Sequence, residues 1–276
     1  MTNIPSRLPQ RLLTVASLTV AIAISGCQKN PDADTADNTQ NNNQTVNTIA
    51  AEPQTPESTQ SKPSTNSTEQ QAPLTILALG DSLTEGLGVD NDANYPAQLE
   101  SRLKEMGYKD IKVVNSGLSG ETSTGLVNRL DWVLQTKPDI TILTIGANDA
   151  IRGIDVTMVE ANIRTAVKRL QDGGSEVILG GMQIYDNLGS DYVESFAAIY
   201  PRIAKDMNVT LIPFFLDGVG GDAKLNQADA IHPTKEGYTI IVNDNILPIL
   251  QPEIEKLEAS HTNQATKSGT PTETTQ

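Results

Sequence analysis

The chain has 276 residues, with 34 acidic side chains against 20 basic ones, a formal net charge of -14 and a single cysteine. Such acidity argues against nucleic acid as a partner and against electrostatic adsorption to an anionic membrane. One cysteine excludes an intrachain disulfide framework and a cysteine-based metal site.

The chain opens with Arg7 and Arg11, no acidic residue, and then an apolar run from Leu12 to Ile24. A short basic segment before such a run reads as a secretory signal peptide, here residues 1–26, and the run is too short to span a bilayer as a helix. It ends in Ile24-Ser25-Gly26-Cys27, which resembles the bacterial lipobox. That resemblance implies lipidation of Cys27 and membrane attachment by acyl chains. Gln28 follows the cysteine where Asp often marks inner-membrane retention. The expected location is therefore the bacterial cell envelope, at the periplasmic face of the outer membrane. From Gln28 to Pro73 the chain is Asn, Gln, Thr, Ser, Pro and acid with no aromatic residue, so residues 27–73 read as the lipidated cysteine and a disordered tether.

Periodic sequence runs from Leu74 to about Glu258, one domain over 74–258 that is large enough for a full core. Strands are expected at Leu74–Leu79, Ile111–Asn115, Ile140–Ile145, Glu176–Leu179 and Val209–Ile212, each a short apolar run. Helical spacing marks Pro96–Met106, Thr122–Gln135, Thr157–Leu170, Asp191–Met207 and Lys235–Leu250. Alternating strands and helices predict an α/β chain, a three-layer α/β/α sandwich around a five-stranded parallel sheet. Residues 259–276 resemble the tether in composition and read as a disordered tail.

In such a fold ligands sit beyond the carboxyl ends of the strands. The first strand runs into Gly80-Asp81-Ser82-Leu83, the second toward Asn115-Ser116-Gly117-Leu118-Ser119-Gly120, and the third into Gly146-Ala147-Asn148-Asp149; Asp229-Ala230-Ile231-His232-Pro233 comes much later. A serine hydroxyl needs a base to become a nucleophile, and an imidazole titrating near 6.5 suits that task. A carboxylate on the other ring nitrogen fixes the tautomer and stabilises the imidazolium. The oxyanion formed by attack on an ester needs preorganised donors, for which the Ser82 and Gly120 backbone N–H groups and the Asn148 amide are suited. Of the two histidines, His261 lies in the polar tail, which leaves His232 as the base and Asp229 as its partner. Asp81 and Asp149 read as turn residues bonded to backbone. Gly-x-Ser-x-Gly, a phosphate loop and metal-ligand spacing are all absent from the sequence, and no metal or cofactor is expected.

The four blocks, in this order, resemble those of the SGNH/GDSL hydrolases. The likeness spans Leu74 to Leu250 and is nearest to the bacterial multifunctional thioesterase/lysophospholipase/arylesterase type, through Ser119–Ser123, Met182-Gln183-Ile184, Ala198–Pro201 and Ile212–Phe215. It implies a serine esterase acting on acyl esters or lysolipids through an acyl-enzyme. Ser82, Asp229 and His232 would be catalytic, and Ser82, Gly120 and Asn148 would form the oxyanion hole. Ala147 replaces a common Gly, and Tyr185–Gly189 departs from the thioesterase pattern, so chain-length preference does not carry over. Two alternatives stand beside it: a carbohydrate O-deacetylase on the same scaffold, and a non-catalytic envelope lipoprotein. The domain is expected to be monomeric.

Overall fold

The structure is a computed structural model and describes residues 73–185 and 189–268, with side chains to residue 260. All of these belong to one compact unit. The signal peptide, Cys27, the tether up to residue 72 and the last eight residues lie outside the described residues.

Five parallel strands, β1 (Leu74–Gly80), β2 (Ile111–Gly117), β3 (Ile140–Thr144), β4 (Glu176–Gly180) and β5 (Thr210–Ile212), lie in the order β2-β1-β3-β4-β5. The expected α/β architecture with a five-stranded parallel sheet is the one observed. The central strand β3 is buried at every residue. That burial accounts for its unbroken β-branched and leucine sequence, because both faces of a parallel sheet are covered by helices. The chain runs from β1 out to β2, then returns to place β3 on the other side of β1. This reversal opens a crevice at the carboxyl ends of β1 and β3.

Nine α-helices are described: α1 (Ser82–Glu85), α2 (Tyr95–Glu105), α3 (Ser123–Val133), α4 (Ala147–Ile151), α5 (Val156–Asp172), α6 (Ser190–Ala197), α7 (Ile199–Met207), α8 (Lys235–Ile240) and α9 (Leu247–Ser268). α3, α5, α6 and α7 pack as one group, and α2 packs with the C-terminal helical stretch as another. Local chemistry sets their starts. Asn94, Thr122, Asp155 and Thr234 each accept a backbone N–H of the first turn of α2, α3, α5 and α8. Apolar stripes such as Leu126, Leu130 and Val133 on α3 are then buried in the hydrophobic core.

Three differences from the expected elements have a chain-chemical cause. The single helix expected at Asp191–Met207 breaks at Ala198, since Pro201 cannot donate to the preceding turn and fits only a first turn, that of α7. Between α8 and α9 the helix is π-wound over Ile241–Ile246, next to Pro248, which has no N–H to continue the regular ladder. Finally, α9 runs on to Ser268, ten residues past Glu258, where the sequence reading starts a disordered tail. The stretch holds no Gly or Pro after Pro252 until Gly269, so nothing in it breaks a helix.

Candidate active site

Gly80 on β1 pairs with Gly117 on β2 and Thr144 on β3. Ser82, Gly120 and Asn148 follow these three residues by two, three and four positions, so strand register alone brings them to one rim. Ser82 is the first residue of α1, whose N-cap is Asp81, and is 8% exposed. As a first-turn residue its N–H has no intrahelical partner.

The loop after β5 delivers the other two groups. The Asp229 carboxylate accepts the backbone N–H groups of Ile231 (2.9 Å) and His232 (3.1 Å), which folds Asp-x-x-His into a tight turn. Ala230 completes the turn at φ 60°, a conformation that is uncommon for a residue with a Cβ. Gln227 braces the turn, accepting from Ala230 and donating to the His232 carbonyl through its backbone, while its side-chain amide donates to the Leu87 carbonyl at 2.7 Å. Within this frame His232 Nδ1 lies 2.6 Å from Asp229 Oδ2, and Nε2 lies 2.8 Å from Ser82 Oγ. With the proton on Nδ1, Nε2 is free to accept the serine hydroxyl. Asp229 is held down to about 2, first by the N–H of Ile231 and then by the imidazole, so it stays ionised at neutral pH.

Asn148 is half-buried on α4, and its amide donates to Asp81 Oδ2 over a long 3.5 Å. Asp81 also accepts the N–H of Leu83, and burial pushes its carboxyl up to about 7. Asp149 is fully buried and accepts both the N–H (2.8 Å) and hydroxyl (2.7 Å) of Ser123 at the start of α3. Gly120 takes φ +74°, and its carbonyl accepts from Arg152. Beside these groups an apolar groove of about 540 Å³ is lined by Leu83, Ala147, Met182, Ile184, Phe214 and Ile231 among others. Among the described residues no cluster of three His, Cys, Asp or Glu could hold a metal ion.

The profile of the GDSL-like lipase/acylhydrolase family matches residues 78–240, which contain every residue just described. The chain belongs to this family. It is 37% identical to esterase TesA of Pseudomonas aeruginosa, over 67% of this chain and 92% of that protein. It is 34% identical to thioesterase 1/protease 1/lysophospholipase L1 of Escherichia coli, over 61% of this chain and 80% of that protein. Among solved structures, the psychrotrophic esterase EstA from Pseudoalteromonas sp., in a form inhibited by monoethylphosphonate, superposes with a TM-score of 0.62 at 30% identity. That superposition covers 66% of this chain and 98% of EstA.

Some residues of this GDSL-like hydrolase site are not foreseen by motif reading. The half-buried Arg129 forms an ion pair with the buried Glu121 beneath the rim. The signal is present in the sequence: Arg129 falls on the same helical stripe as Leu126, Leu130 and Val133, a place where a lone cation needs a partner. Tyr185, in the stretch that departs from the thioesterase pattern, donates its hydroxyl to the Ala230 carbonyl at 3.2 Å across the groove. Asp186–Leu188 of that stretch lie outside the described residues.

Proposed function

We propose that this chain is a serine esterase hydrolysing carboxylic esters of acyl chains, with Ser82 as nucleophile, His232 as general base and Asp229 as the group that orients it. The observation that carries this reading is the unbroken chain Ser82 Oγ to His232 Nε2 at 2.8 Å and His232 Nδ1 to Asp229 Oδ2 at 2.6 Å. Ser82 Oγ attacks the ester carbonyl as its proton passes to Nε2. The carbonyl oxygen becomes an oxyanion, stabilised by the N–H groups of Ser82 and Gly120 and the Asn148 amide. His232 then protonates the departing alkoxide, leaving an acyl-enzyme, and a water activated by the same imidazole releases the acid.

The apolar lining of the groove favours an acyl chain, as in a small acyl ester or lysolipid, over the acetylated sugar of an O-deacetylase. The intact hydrogen-bonded triad weighs against a purely structural envelope protein, which has no need of one. Cys27, as the lipidated residue, would tether the enzyme at the periplasmic face of the outer membrane, a reading supported by the apolar run that ends at the chain's one cysteine. Ser82→Ala tests the catalytic reading. It should abolish hydrolysis of p-nitrophenyl butyrate while leaving the circular dichroism spectrum intact, and a fluorophosphonate probe should label the wild type at Ser82 alone. Labelling at another serine, or full activity in the variant, would refute the assignment.

A further inference from the structure

We propose that Arg129, acting through Glu121, is a positioning residue of the oxyanion hole: one half-buried guanidinium fixes the strand ends and the turn that carry the Ser82 and Gly120 N–H groups. The inference rests on the serine-esterase reading above and adds to it a device outside the four motif blocks.

Glu121 immediately follows Gly120 and is only 2% exposed at its side chain, against 18% for Arg129. Their carboxylate and guanidinium meet edge to edge, Nε to Oε1 at 2.7 Å and a terminal nitrogen to Oε2 at 2.6 Å. The other terminal nitrogen donates to Ser116 Oγ at 2.7 Å, and the second N–H of the nitrogen that meets Oε2 is shared between the carbonyls of Ser116 (2.8 Å) and Gly80 (3.3 Å). Gly80 ends β1, two residues before Ser82, and Ser116 lies at the end of β2, four residues before Gly120. The same Gly80 carbonyl accepts the N–H of Leu118, which closes the path from strand to turn.

The turn around Gly120 is held at three points. The Ser119 N–H donates to Glu85 on α1 at 2.8 Å, the Gly120 carbonyl accepts from Arg152 at 2.8 Å, and Glu121 is gripped by Arg129. Of these anchors Glu121 is the buried one. A glycine at φ +74° has wide freedom of its own, so the direction of its N–H depends on such neighbours. Only a planar fork of five N–H donors serves a carboxylate, a hydroxyl and two carbonyls together; a lysine ammonium supplies the charge without that geometry. An oxyanion donor displaced by about 1 Å can cost on the order of 10²-fold in rate.

The experiment compares Glu121→Gln, Arg129→Lys and Arg129→Met with wild type and Ser82→Ala, all as the full-length chain. Competent sites are counted by fluorophosphonate labelling taken to completion. kcat and KM for p-nitrophenyl butyrate are then expressed per labelled site, which removes any unfolded fraction. Inhibition by phenylboronic acid, which forms a tetrahedral adduct on the serine, is measured in parallel. The expected result is a kcat per site about 10–100-fold lower in all three variants, KM within about three-fold of wild type, and boronate affinity falling with kcat. Should Arg129→Met not fold, Glu121→Gln, which keeps the shape of the side chain, decides. Unchanged kcat per site alongside a lowered Tm would overturn the proposal and leave the pair a structural one. Recovery of near wild-type kcat in Arg129→Lys would overturn it too, by showing that charge suffices. Failure of the wild type itself to hydrolyse the ester or to label at Ser82 would refute the underlying reading, and this inference with it.

Discussion

The Asn148 amide meets two partners in the proposed mechanism, the Asp81 carboxyl on one side and the developing oxyanion on the other. A donor of this kind acts mainly in the transition state, where the oxygen carries most charge. Asn148→Ala should therefore lower kcat by about 10²–10³-fold with little change in KM, read from steady-state kinetics on a short aryl ester. A rise in KM alone would make it a substrate-binding residue. Asp81 leads to a pH prediction. Its carboxyl rises from 3.8 in the unfolded chain to about 7 in the fold because burial disfavours its charge. Between these values the folded state keeps a proton that the unfolded state has released, so this residue's contribution to stability falls as pH rises from about 4 to about 7. Asp81→Asn should remove that fall: the urea midpoint of the wild type should drop relative to that of the variant between pH 4 and pH 7. Parallel midpoints across that range would contradict it. The positions of Ser82, Asp229 and His232 were legible in the sequence because each sits in a short motif at a strand end or in the late loop. The burial of Asp81 was not, since a Gly-Asp-Ser turn looks the same whether or not the fold closes over it.

At the scale of elements, the tightest junction is between the end of β2 and α1. A Cβ placed at Gly117 would stand 2.0 Å from the backbone nitrogen of Glu85, and backbone cannot swing aside as a long side chain can. Gly117→Ala should cost about 1–3 kcal/mol, which for a domain of this size is a drop of several degrees in Tm. Because the displaced segment is the helix that starts at Ser82, activity should fall as well, and calorimetry beside ester kinetics reads both effects. All five strands were readable, since buried parallel strands leave unbroken apolar runs. The helices α1 and α4 were not. With four and five residues each they are too short to show a period, and they exist because strand ends turn into them under Asp81 and Gly146. The ion pair of Glu121 with Arg129 escaped motif reading for a related reason: its partners lie eight residues apart, and only the packed helix brings them together.

For the whole molecule, the lipid-anchor proposal makes its own prediction. Cys27→Ser should move the protein from the membrane fraction to the soluble one with ester hydrolysis per molecule unchanged, as read by fractionation and activity assay. Deleting residues 28–72 should leave Tm within about 2 °C, because less than about 1 kcal/mol of packing is expected from so polar a segment. A larger shift would mean that the segment docks on the domain. The placing of the first strand and last helix of the domain has a practical side. β1 begins at Leu74, six residues before its rim end at Gly80, a rise of roughly 20 Å. On α9, Glu253 accepts from Thr210 at the start of β5, and Lys256 lies 3.9 Å from Glu176 at the start of β4. Both the entry into the domain and its last helix thus lie toward the edge of the sheet farthest from Ser82. A domain coupled to a bead, or fused to a reporter, just ahead of Leu74 or through the outer face of α9 near Lys256 should keep its mouth open to the solution and turn over substrate at its free rate.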